Sequence, residues 1–161
     1  MPRVTSVEAG GPNLLPFLDT LAFSEGTSNS PTTRDDGYDQ IVGRTRFTSY
    51  ASHPRVLVDL PRLGIKSTAA GRYQLLARYW DAYSKQLNLK DFSPINQDRI
   101  ALQQIKERRA VDDILAGRFT LAISKCRNIW ASLPGAGYGQ YEHSIATLQG
   151  FYLRAGGTME M

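Results

Sequence analysis

At 161 residues, 42% hydrophobic and 21% charged, the chain suits one globular domain able to bury roughly two-thirds of its unfolded surface. Its single cysteine, Cys126, excludes an internal disulfide, and its two histidines, His53 and His143, stand far apart without cysteine neighbours, so no metal site or cofactor is expected. A net charge of +4 and a pI near 9.3 leave plain solubility or attraction to a polyanion open, but zinc-finger spacing and RNA-binding aromatic signatures are absent.

Residues 1–12, rich in Gly and Pro, read as a flexible N-terminal arm ahead of a domain over 13–161. Asn13 is placed to N-cap a helix through about residue 25, with Pro16 tolerated in its first turn and Leu14, Leu18, Leu21 and Ala22 on one face. Residues 26–37 are loop. Tyr38–Gly43 and Arg46–Tyr50 bracket a short turn and read as a β-hairpin. Arg55–Val58 is a third strand or a loop, because Pro54 and Pro61 flank it.

From Ala70 the pattern turns helical. Tyr73, Leu76, Tyr79, Trp80, Tyr83 and Leu87 recur at three- and four-residue steps, and Asn88 stands where that helix ends. Ser93-Pro94 reads as an N-cap followed by Pro at the first helical position. A short helix near Val111–Leu115 stops at Gly117, and a further helical segment carries Leu121 to Trp130. A glycine-rich loop over Leu133–Gly139 precedes a last helix bearing Tyr141, Ile145, Leu148, Phe151 and Tyr152. The fold class is α+β: mostly helical, one domain, with a small β region after the first helix. No run approaches the roughly 18 apolar residues a membrane span needs, and the N-terminus lacks the apolar core of a signal peptide.

Four stretches combine reactive side chains with a permissive backbone. Glu25 follows Phe23 at a helix end, where it is either a solvated last-turn carboxylate or, if partly desolvated, a proton donor near neutral pH. Gly37-Tyr38-Asp39 opens the hairpin, Gly71-Arg72-Tyr73-Gln74 enters a helix, and Gly135–Gln140 sets Gly137, Tyr138 and Gln140 together. Gln offers a donor and an acceptor to sugar hydroxyls and acetamido groups, and Tyr offers an apolar face with a hydroxyl. None of these is a phosphate-binding fingerprint.

In order along residues 14–158, several motifs resemble the lambda-type phage endolysins. They are Ser24-Glu25-Gly26-Thr27, Gly37-Tyr38-Asp39 with Ile41-Val42-Gly43, Lys66-Ser67-Thr68, Gly71-Arg72-Tyr73-Gln74 and Asp91-Phe92-Ser93-Pro94. The block Asn128–Gln140 is the strongest match, and Ala155-Gly156-Gly157 closes the series. The resemblance implies a lysozyme-like fold and a peptidoglycan lytic transglycosylase, cleaving between N-acetylmuramic acid and N-acetylglucosamine to leave a 1,6-anhydromuramic end. It implies Glu25 as the acid, with Gln74 and Tyr138 in motifs that line the glycan cleft; Asp39, Gly137 and Gln140, in the same stretches, are the further substrate-binding candidates. Ala70, where lambda-type sequences often place Gly, and the 54–66 loop depart from the pattern.

Hydrolytic lysozymes use two carboxylates. Here thirteen residues separate Glu25 from Asp39, a longer gap than the other common type of phage lysozyme has, although Asp39 and Thr45 keep that type's spacing of five. The expectation is therefore transglycosylation by Glu25 alone. A hydrolytic muramidase is the alternative, and a non-catalytic basic domain binding wall or nucleic acid is a remote one. The resemblance further implies binding to the glycan strand rather than to nucleic acid; a monomer is expected, and the short apolar runs predict no stable membrane insertion. It also implies accumulation in the host cytoplasm and dependence on a holin for release to the wall.

Overall fold

The computed structural model describes residues 1–139 and 141–160. The chain opens with one turn, α1 (Ser6–Ala9), whose first N–H groups are capped by the Thr5 hydroxyl at Glu8 N. The loose arm expected over 1–12 is instead docked. Val4 and Ala9 are buried, and the N–H groups of Arg3 and Val4 donate to Asp98 Oδ2 at 2.6 and 3.1 Å. Asp98 is fully buried and also accepts from the Tyr38 and Tyr73 hydroxyls, each at 2.7 Å. Four donors satisfy a carboxylate that would otherwise be costly inside the protein, and two of them are the arm's own backbone. A carboxylate more than ninety residues downstream leaves no mark on the Gly/Pro-rich composition that suggests a loose segment.

Helix α2 (Leu14–Ser24) buries Leu14, Leu18, Leu21 and Ala22 completely, as its periodicity predicts, and adds Phe17 to that face. Asn13 does not cap it. Its backbone is left-handed (φ 76°), and its amide binds Ile114 O and Thr158 instead, tying the chain's last residues to the start of α2.

Strands β1 (Gln40–Ile41) and β2 (Thr45–Arg46) form a shorter antiparallel hairpin than expected, with Ile41 opposite Thr45. Strands β3 (Val58–Leu60) and β4 (Ile65–Ser67) form a second, with Val58 opposite Ser67. The sequence marks β4 poorly, because Ile65-Lys66-Ser67 is mostly exposed and lacks an apolar alternation.

The helix expected from Ala70 begins only at α3 (Ala77–Gln86). Ala70 bridges to both Ile41 and Leu75, and Gly71 (φ 85°) and Gln74 (φ 54°) are left-handed, so residues 70–76 make a tight turn. Gly71 is required there: a Cβ would meet Gln97 Oε1 at 2.4 Å, while its N–H donates to Gln40 O at 2.7 Å. Within α3 Trp80 is the buried member of the aromatic stripe, Tyr73 being buried ahead of the helix, and Asn88 takes the left-handed conformation just past the helix end.

Helix α4 (Pro94–Glu107) starts with Pro at its first position, followed by α5 (Val111–Leu115) and α6 (Phe119–Cys126). Trp130 lies beyond α6 rather than in it, buried, with Nε1 donating to Tyr73 O at 3.1 Å. Ser144 caps α7 (Ile145–Arg154), so Tyr141 falls outside that helix and is exposed. One core cluster joins α2, α5, α6 and α7. A second, built on Phe47, Trp80, Phe92 and Ile100, underlies the hairpins. The expected α+β class is observed, and the cleft opens where the hairpins face the end of α2.

Candidate active site

Helix α2 stops at Glu25 for a local reason. Gly26 is left-handed (φ 73°), its N–H returns to Phe23 O at 3.0 Å, and Thr27 N–H returns to Ala22 O at 3.1 Å. This paired closure needs a residue that tolerates positive φ just after the cap, and glycine supplies it. The helix therefore delivers the Glu25 carboxyl to a fixed place at the edge of the core.

That place is a cleft of about 400 Å³. One wall is the end of α2 together with Ile129 and Ala131. The other is built by Gln40 and the β1–β2 turn, Leu60 and Ile65 of the second hairpin, and Gln74. Among the described residues Glu25 is the only carboxylate that lines it. Glu25 stays partly open to the cleft, yet the surrounding protein desolvates it and pushes its pKa up to about 7, against a smaller opposing pull from the Ser132 hydroxyl. A carboxyl so poised is substantially protonated at neutral pH and is a competent base once it has given up its proton. The neighbouring Phe23 is not what desolvates it by stacking: that ring lies flat on Phe151, with centroids 4.4 Å apart.

The Ser132 hydroxyl that reaches Glu25 is itself braced. It lies 2.7 Å from Ser24 Oγ in a buried contact. His143 holds both serines' backbone carbonyls, its Nε2 donating to Ser24 O and its N–H to Ser132 O, each at 3.0 Å. Chain segments more than a hundred residues apart thus meet immediately beneath the acid.

The residues singled out in the sequence fare unequally. Glu25 and Gln74 share the cleft, and Gln74 Nε2 is steadied by Gly71 O at 2.9 Å. Asp39 does not join them. It is buried, and its carboxylate accepts from Thr33 Oγ1 at 2.6 Å and Arg34 N–H at 3.0 Å, which holds the loop before β1 closed. Tyr38 turns to Asp98 in the interior. Gly137 donates its N–H to Glu142 at 2.8 Å, and the N–H groups of Gly137 and Gly135 hold the Glu142 carboxyl below its usual pKa. Tyr138 is 56% exposed and lines no part of the cleft. The neighbouring Gly139 and Tyr141 face Leu60–Leu63 across a depression that shares Val42 and Leu60 with the cleft, so this loop borders its outer end. Gln140 lies outside the described residues.

Gln40, Ser132, Leu60 and Ile65 were not singled out as site residues. Gln40 carries no sequence mark beyond a polar residue in a strand, and Ser132 none beyond its place in the Asn128–Gln140 block. A larger depression of about 820 Å³ between α1, α4 and α5 holds none of these groups, and its Glu8 and Arg99 are paired with each other at 2.9 Å. His53 offers no free ring nitrogen, since Nε2 donates to Leu75 O and Nδ1 accepts from Arg55 N–H. No group of three His, Cys, Asp or Glu side chains among the described residues is arranged to hold a metal ion.

Known proteins are similar to this chain in sequence and in fold. The endolysin of Escherichia phage lambda is 61% identical over 145 residues, which span 89% of this chain and 90% of that protein. The endolysin of Escherichia phage P2 is 56% identical over 154 residues, spanning 90% and 93%. The structure of bacteriophage lambda lysozyme complexed with a chitohexasaccharide matches with a TM-score of 0.89 at 54% identity, covering 99% of this chain and all of that one. A second structure of lysozyme from bacteriophage lambda matches with a TM-score of 0.85. The fold is therefore lysozyme-like, and with the Endolysin family model matching residues 15–159, the chain belongs to the Endolysin family.

Proposed function

We propose that this protein lyses a host cell wall as a peptidoglycan lytic transglycosylase, with Glu25 serving first as acid and then as base. The observation that carries the reading is the solitude of Glu25 in the cleft, combined with a pKa of about 7. Family membership and a relative solved with a chitohexasaccharide support a glycan-strand substrate.

Protonated Glu25 donates its proton to the glycosidic oxygen as the bond from the muramic anomeric carbon breaks. The 2-acetamido oxygen of the same sugar assists at that carbon. Glu25, now a carboxylate, takes the proton of the muramic C6 hydroxyl, whose oxygen closes onto the anomeric carbon. The product is the 1,6-anhydro ring, no water is consumed, and the enzyme regains its starting protonation. Acid–base assistance of this kind is worth about 10² to 10⁴ in rate, and positioning of the C6 hydroxyl in the cleft supplies much of the rest. A pKa close to the working pH suits a group that must both give and take a proton. The reading includes action as a monomer and release to the wall through a separate, holin-type membrane lesion. No helix of the described residues is long and apolar enough to cross a membrane.

Mass spectrometry of digested glycan tests the reaction. Anhydro-terminated fragments are expected. Fragments heavier by one water would make the enzyme a hydrolytic muramidase.

A further inference from the structure

The groove beside the cleft carries charge that the reaction above does not use. Arg34, Arg44 and Arg46 line a depression of about 570 Å³ together with Pro31, Thr32 and Thr45, and no acid lines it. Arg44 also lines the catalytic cleft, so the two spaces adjoin. None of the three guanidinium groups has an ion pair or a hydrogen bond to another described residue.

Nearby carboxylates exist, but each is committed elsewhere. Asp35 is taken by Arg3 and the Tyr50 hydroxyl, and Asp36 by the chain's amino terminus and Arg72. Asp39 is closed inside the preceding loop by Thr33 and Arg34 N–H. The positive charge of the groove is therefore uncompensated locally.

The backbone holds these arginines in place. Arg46 stands on β2 opposite Gln40. Arg44 occupies the left-handed position of the hairpin turn (φ 66°). Thr32 Oγ1 donates to Arg44 O at 2.8 Å and is 3.1 Å from Gln40 Oε1, which fastens the segment carrying Arg34 to the hairpin. Three guanidinium groups on one short, cross-linked scaffold present a fork geometry suited to carboxylates.

We propose that this groove binds the free carboxylates of the stem peptide carried by the muramic residue, selecting peptide-bearing glycan over bare glycan. The inference rests on the wall glycan being the substrate. A neutral sugar chain fills the cleft without needing the groove. A muramic residue seated beside Glu25 carries an anionic peptide that must leave the cleft sideways, and at the Arg44 edge the charged side chains lining the exit are all cations. The attraction is exposed and screened by salt, so it tunes substrate choice rather than creating activity.

The test is the double variant Arg34→Gln/Arg46→Gln, which leaves the cleft-lining Arg44 in place. Its kcat/KM is measured on peptide-bearing peptidoglycan and on the same glycan stripped of stem peptides by an amidase. On peptide-bearing glycan we expect a loss of about fivefold at low salt, as two exposed charge pairs would give, shrinking as salt is added. On stripped glycan we expect no change. Equal effects on the two substrates, or no effect on either, would overturn the proposal, including the case in which the groove serves an anionic lipid surface. Failure of the unaltered protein to cleave either glycan would instead overturn the proposed function.

Discussion

The two walls of the cleft are built to different standards. The wall that carries Glu25 is the end of a helix whose Leu14, Phe17, Leu18, Leu21 and Ala22 are wholly buried. The facing wall includes the β3–β4 hairpin, in which no residue is buried and Ile65 is 47% exposed. Only Val58 of that hairpin packs against the second core cluster. The difference teaches a division of labour. In the proposed reaction the proton-transfer group needs a fixed position and a dry surround, which a core helix provides, whereas a wall that only shapes the glycan's path tolerates a light anchor.

Breaking the first wall at its chemistry should give the largest effect. Glu25→Gln keeps the side chain's shape and removes the titrating proton, so turnover on permeabilised Gram-negative cells should fall by about 10² to 10⁴. Substantial residual lysis would remove Glu25 from the role of acid.

The comparison sharpens when each wall loses one apolar side chain. Leu18→Ala should cost about 2–5 kcal/mol of stability in urea unfolding, because it opens a cavity in a fully buried face. Ile65→Ala should cost under about 1 kcal/mol and show itself instead as a raised KM for glycan. Equal stability losses would mean that the hairpin is as firmly anchored as α2.

A smaller and pH-dependent effect follows from the same buried carboxyl. Its folded-state pKa of about 7 lies above the ordinary glutamate value of 4.5, so the folded state holds the proton more tightly than the unfolded chain does. Stability from this group is therefore fully present below about pH 4.5 and is lost as pH rises toward 7. Glu25→Gln, which never ionises, should match the unaltered protein near pH 4 and exceed it above pH 7 by on the order of 2 kcal/mol, allowing for the cleft's partial exposure. Parallel urea titrations at the two pH values check the sign as well as the size.

Much of the first wall is legible in the sequence. The spacing of Leu14, Leu18, Leu21 and Ala22 places α2, and Gly26 after Glu25 marks where it stops. Ser93-Pro94 marks the start of α4 in the same way. The other wall is harder to read. Residues 70–76 look helical by period, but bridges from Ala70 to Ile41 and Leu75 and the close approach of Gly71 to Gln97 hold them in a tight turn. Asp39 looks like a cleft residue from its place in Gly37-Tyr38-Asp39, yet Thr33 and Arg34 turn it inward. Tyr138 looks like a cleft residue by its glycine setting, and the loop carries it to the surface.

What the sequence by itself determined is the set of faces and stops: which side of each helix is apolar, where glycine or proline ends it, and the ordered motifs of the Endolysin family. Those depend on residues within a turn or two of one another, so periodicity reports them. Only the tertiary structure decided which polar groups meet. The Ser24–Ser132 contact, the Asp98 anchor for the N-terminal arm and the gathering of Arg34, Arg44 and Arg46 around one groove join segments that local pattern does not relate. Their pairing follows from how the helices and hairpins cross, since a buried or crowded polar group is satisfied by whichever donors the packing brings within reach.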